Sequence, residues 1–113
     1  MSNTLFEEIK KTVLGSKYDL SLVFIGPKKI RELNKTYRNI DKATDILSFP
    51  LSKTSGEMFI CKSETKKMAK GFERTYENFL IYLFIHGCVH LLGYDHGPAM
   101  DKLEEKFRKK FKV

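Results

Sequence analysis

The stretch FLIYLFIHGCVHLLGYDH, residues 79–96, decides the fold. From Phe79 to Ile85 it is apolar on every side of a helix, so it has no face to offer water and must be enclosed. The run is far shorter than the roughly 20 residues a membrane span requires, so the enclosure is protein rather than lipid. The pattern predicts a central helix from about Glu73 to Leu92, stopped by Gly93, where a glycine can turn the chain back in the left-handed conformation.

Working outward, helical spacing of Leu5, Ile9 and Val13 predicts a first helix over Thr4–Leu14, with Thr4 and Glu7 as a capping box and Gly15 at its end. Leu20, Leu22 and Phe24 alternate with Ser21 and Val23, which predicts a strand over Asp19–Ile25. Gly26-Pro27 opens a second helix to about Tyr37, with Ile30, Leu33 and Tyr37 inward. A polar turn over Arg38–Asp45 leads to a short strand, Ile46–Phe49, closed by Pro50, which suits a sheet edge or a strand end. Leu51–Ser55 reads as a loop and Glu57–Cys61 as a further strand. Ser63 is the expected cap of a short helix that includes Met68. A last helix follows Pro98, with Met100, Leu103, Phe107 and Phe111 inward. Strands and helices interleaved in this irregular way predict a small α+β layer fold.

The 113 residues fit one domain, 1–113, and 42% hydrophobic side chains with nine Phe and five Tyr exclude disorder. Lys and Arg total 21 against 14 Asp and Glu, a formal +7. Such an excess favours a polyanionic partner, nucleic acid first and an acidic membrane surface second. Two cysteines, Cys61 and Cys88, make no disulfide framework, and MSNTLFEEIK has no basic stretch followed by an apolar signal segment. A reduced, cytoplasmic protein with no membrane span is the expectation.

The three histidines fall within eleven residues, 86–96. His86 and His90 are four apart and share one helix face, the spacing at which two imidazoles grip one metal ion. A turn at Gly93 brings His96 back as a third ligand. Imidazole suits zinc, copper, iron or nickel, and three nitrogen ligands with an open fourth position mark a catalytic zinc site. Cys88 lies about 200° round the helix from each helical histidine and is expected in the core. The spacing matches the zinc-protease form H-E-x-x-H-x-x-G-x-x-H except that Gly87 stands where the protease carries its general-base Glu, which argues against peptide hydrolysis.

HGCVHLLGYDH resembles the signature of the YbeY family, bacterial metal-dependent endoribonucleases of ribosomal RNA maturation, and LNKTYRNIDKATDILSFP, residues 33–50, resembles that family's second motif. Met100 and Glu104 fit as well. The resemblance implies a mixed sheet of three to four strands with about five helices packed around a central histidine helix and a metzincin-like zinc arrangement. It implies His86, His90 and His96 as metal ligands, with one zinc per chain or another transition metal such as nickel, and Arg38 beside the metal. Arg38 and His86 are thus the catalytic candidates, and Thr44, Asp45, Ser48 and Phe49 are expected to line the same cleft. The family opens with a strand for which only Met1–Asn3 remain here, and Glu57 stands where Asp is common.

The implied function is zinc-dependent cleavage of single-stranded RNA in 16S rRNA 3′-end maturation and ribosome quality control, in contact with the small ribosomal subunit. The alternative is a non-catalytic, zinc-stabilised rRNA-binding assembly factor. A metal hydrolase of a small substrate is disfavoured by the +7 charge. Zinc brings the pKa of bound water to about 7, so hydroxide is available without a carboxylate base; the RNA 2′-hydroxyl is the other nucleophile. Arg38 is suited to clamp two phosphate oxygens. Asp95 either orients an imidazole or caps the turn after Gly93. Lys28, Lys29, Arg31, Lys35 and Arg38 form a stripe that would track phosphates if the second helix borders the cleft. Lys106, Arg108, Lys109, Lys110 and Lys112 form a second basic run, a solvated face or an rRNA contact, and Tyr94 and Phe49 are candidates to stack on a base.

Overall fold

In the computed structural model, residues 3–113 are described, and they form α1 (Asn3–Leu14), β1 (Asp19–Phe24), α2 (Pro27–Arg38), β2 (Ile46–Ser52), β3 (Ser55–Ile60), α3 (Lys62–Gly71), α4 (Tyr76–Leu91) and α5 (Pro98–Phe111). Met1 and Ser2, weighed above as a remnant of an opening strand, lie outside the described residues, and Asn3 already belongs to α1. Among the described residues the sheet has three strands in the order β1-β3-β2, with β1 parallel and β2 antiparallel to β3. The architecture is the expected α+β arrangement of a mixed sheet and helices.

The central strand shows the reason for the layering. Gly56, Met58 and Ile60 of β3 are buried, in alternation with half-buried Ser55, Glu57 and Phe59. Met58 and Ile60 join Phe6, Ile9 and Val13 of α1 and Leu80, Phe84, Ile85 and Val89 of α4 in the main core. Phe59, Leu47 and Phe49 belong instead to a smaller cluster around Ile30 of α2. A period of two along the strands thus feeds two helical layers, α1, α4 and α5 on one face and α2 on the other. Cys88 lies fully in the main core, where burial pushes its thiol pKa well above the ordinary range.

Several element ends differ from the sequence reading, each for a local reason. Thr4 lies inside α1, so it is not the N-cap of a capping box with Glu7. Tyr37 is exposed although its spacing puts it with Ile30 and Leu33, and the buried member of that turn is Asn34. The Asn34 amide donates to the Lys42 carbonyl at 2.9 Å, so α2 uses this position to hold the loop after it. β2 continues through Pro50 to Ser52, because its outer edge is open and the missing N–H breaks no ladder bond. Ser52 and Ser55 are register partners and their hydroxyls meet at 2.8 Å, so the expected loop is a tight hairpin. Cys61, not Ser63, stands at the N-cap of α3. Finally, α4 starts at Tyr76 rather than Glu73, since Glu73 adopts φ 54° and the Thr75 hydroxyl accepts from the Asn78 N–H at 3.1 Å.

The contact that fixes α4 on the sheet is at Gly87. A Cβ there would stand 2.6 Å from Met58 Cε and 2.9 Å from both Ile46 Cδ1 and Ser48 Oγ. The position at which the protease pattern carries its carboxylate is therefore filled by the sheet itself. Glycine within a helix normally costs about 1 kcal/mol relative to alanine, so helix propensity alone expects Gly87→Ala to stabilise. The packing expects the opposite sign, a loss of about 2 kcal/mol from overcrowding, to be read as a lowered urea midpoint at unchanged slope.

Candidate active-site cleft

The end of α4 and the turn after it carry the histidines. His86 and His90 stand one helical turn apart, and Gly93, at φ 105°, reverses the chain so that His96 returns to them. The His96 ring centroid lies 5.4 Å from that of His86 and 6.0 Å from that of His90, with interplanar angles of 23° and 24°. All three line one cleft of about 220 Å³, whose other walls are Arg38 from the end of α2 and Ile46 and Ser48 from β2. The structure therefore brings together the three histidines, grouped as their spacing expects, and Arg38, which the family resemblance implies beside them.

Each helical imidazole is pinned on one nitrogen. His86 Nδ1 lies 2.8 Å from Glu104 Oε1, and His90 Nδ1 donates to the Tyr94 carbonyl at 3.0 Å. A carbonyl or carboxylate oxygen accepts, so Nδ1 carries the proton and Nε2 of a neutral ring keeps its lone pair. Glu104 is only 5% exposed, and the Arg108 guanidinium stands 3.8 Å from the same carboxylate oxygen. The Arg108 guanidinium in turn lies over the Tyr82 ring, 5.1 Å from its centroid. The second acceptors are thus Glu104 and a backbone carbonyl, whereas Asp95 is exposed. The family resemblance included Glu104 without a role, and its place beside Leu103 on the inward stripe of α5 is the signal that could have assigned one.

The donor set suits an imidazole-bound cation. With metal–nitrogen bonds of about 2.0–2.1 Å and tetrahedral angles, imidazole centroids stand about 5 Å apart. The observed separations of 5.4 and 6.0 Å are slightly wider. Among the described residues no group of three or more His, Cys, Asp or Glu side chains stands close enough, as placed, to hold a metal ion.

The second sequence block divides between surfaces. Ser48 lines the histidine cleft and is joined there by Ile46, an aliphatic residue that carried no functional signal. Thr44 and Asp45 line a neighbouring hollow with Glu64 and Lys67, and Phe49 turns to the α2 face, against Tyr37. Alternation along β2 sends consecutive residues to opposite faces. Of the five cations expected as a stripe on α2, Arg38 alone lines the cleft. Lys28 and Arg31 border a separate hollow with Asp41, which Arg31 contacts at 2.8 Å.

Comparison with known proteins places this geometry. The family model described as Endoribonuclease YbeY matches residues 1–112. The chain belongs to the YbeY family. It is 32% identical to Endoribonuclease YbeY of Thermosipho melanesiensis, over 93% of this chain and 82% of that one. To the Aquifex aeolicus protein of the same name it is 39% identical, over 89% and 71%. The solution structure of TM1509 from Thermotoga maritima superposes with a TM-score of 0.67 at 25% identity, covering 96% of this chain and 83% of that one. No helix of the described residues is long and apolar enough to cross a membrane.

Asp45 gives this region of the YbeY fold a pH signature. Burial raises its pKa above the ordinary carboxylate range, partly offset by hydrogen bonds from the Ile46 and Asp45 N–H groups and the Thr44 hydroxyl and by the nearby His86. Where the folded pKa exceeds the unfolded one, the folded state holds more protons, so stability falls as pH rises from about 4 through the folded value. Asp45→Asn removes that contribution. The unfolding free energy of the wild type relative to Asp45→Asn is expected to decrease from pH 4 to pH 7, measured by urea titration at each pH.

Proposed function

We propose that the cleft is the centre of a metal-dependent endoribonuclease that cuts single-stranded RNA. Its substrate is ribosomal RNA, at the 3′ end of 16S rRNA, in the cytoplasm and in contact with the small ribosomal subunit. His86, His90 and His96 would hold a zinc ion or another transition metal such as nickel, which when bound supplies Lewis-acid polarisation of a phosphodiester. The observation that carries the reading is the convergence of two imidazoles, each turned by the acceptor that meets its Nδ1, with His96 and Arg38 in one small cleft. The family's name supports RNA as the substrate, and the +7 charge suits a phosphate chain.

The chain's own residues have separable tasks. Glu104 and the Tyr94 carbonyl set the tautomer and orientation of the two helical imidazoles. The Arg38 guanidinium binds two oxygens of the phosphate and stabilises the charge that accumulates on them during cleavage. The Ser48 hydroxyl, nearly buried at the cleft wall, is placed to donate to the same group. A cleft of about 220 Å³ is large enough for one backbone phosphate beside Arg38.

Metal content and cleavage of a single-stranded oligoribonucleotide, measured together, test the reading. His90→Ala is expected to lose both, while Arg38→Ala keeps the metal and loses roughly 100-fold or more in cleavage rate. Equal trace cleavage by wild type and Arg38→Ala would mean a contaminating nuclease, and the binding-factor alternative would then stand. Glu104→Gln is expected to weaken metal affinity about tenfold by calorimetric titration.

A further inference from the structure

We propose that the Tyr37 ring, seated on Phe49, is a stacking platform for an unpaired nucleobase of the strand whose phosphate Arg38 holds. The proposal rests on the RNA reading above and adds a base-binding subsite to it. Tyr37 shares helical spacing with Ile30 and Leu33, yet 67% of it is exposed while Ile30 is fully enclosed. Its ring lies 5.4 Å from that of Phe49 at 57°. Phe49 is itself braced by Phe59, at 6.1 Å and 63°. Rings from β2 and β3 therefore brace Tyr37 on one side, and two-thirds of it stays open to solvent.

The location follows from two pairs of consecutive residues. Arg38 and Ser48 line the histidine cleft, and their chain neighbours Tyr37 and Phe49 form the ring pair. Alternation turns Phe49 to the opposite face of β2 from Ser48, and β2 is an edge strand, so the platform and the phosphate pocket lie on either side of one sheet edge, with Tyr37 and Arg38 adjacent at the end of α2. An unpaired strand offers what fits both parts, an anionic backbone beside flat, splayed bases, and aromatic side chains receive such bases irrespective of sequence. A duplex, whose bases are already stacked and paired, offers nothing to the ring.

The test measures binding of short single-stranded oligoribonucleotides by fluorescence anisotropy, with chelator present so that nothing is cut. One set carries a single abasic nucleotide, moved along the strand. Tyr37→Ala and Tyr37→Leu are expected to bind the intact strand about tenfold more weakly, the size of one lost base–aromatic stack, while Tyr37→Phe binds as wild type does. One abasic position should weaken wild type by the same factor and leave Tyr37→Ala unaffected. The proposal is overturned if every abasic position costs wild type and Tyr37→Ala equally, or if Tyr37→Leu binds like wild type. Coupling in a protein that cuts no RNA keeps the platform and removes the nuclease reading, whereas cleavage without coupling does the reverse. Unfolding midpoints of the three variants separate lost folding from lost binding.

Discussion

Between α4 and the β2–β3 pair there is no side chain at position 87, and the rest of the molecule depends on that close approach. Met58, Ile46 and Ser48 crowd the space a Cβ would need. With α4 held so near, Phe84, Ile85 and Val89 fill the main core, and His86 and His90 emerge at the sheet's edge rather than far above it. The same contact explains why a histidine pattern shared with zinc proteases is used without the protease carboxylate. Ile46 and Ser48 wall the cleft on the side where position 87 points, so that volume already belongs to the sheet.

A second constraint comes from α5. Glu104 is buried on the inner face of that helix and meets His86 Nδ1 at 2.8 Å, which commits a nearly enclosed carboxylate to one partner. A buried carboxylate without partners is costly, and here an imidazole, with the Arg108 guanidinium farther off, satisfies it. The backbone after α4 does the corresponding work for His90 through the Tyr94 carbonyl. The imidazoles are therefore oriented by elements that follow them in the chain, and the turn at Gly93 links these to α4.

The histidine trio, the central helix and the individual strands were legible because they are periodic or local: i,i+4 spacing, a turn glycine, alternation along a strand. Element ends were less so. Thr4 and Ser63 have the chemistry of caps, but α1 has already begun at Asn3 and α3 begins at Lys62, so neither hydroxyl is at a terminus. Pro50 suits either a sheet edge or a strand end, and the strand order decides for the edge. Tyr37 has core spacing, yet its ring meets only the outer side of Phe49 and stays exposed, while Asn34 takes the buried place in that turn.

The sequence by itself determined the ligand-type residues, the basic charge and the helix that must be enclosed, since each is a property of residue identity and spacing. Tertiary structure alone decided which neighbours complete the cleft. Arg38 reaches it while Lys28 and Arg31 border another hollow, and Ser48 faces it while Phe49 turns to Tyr37. Those assignments depend on where α2 ends and which face of β2 meets α4. Contacts between segments far apart in the chain set both, and no local pattern encodes them.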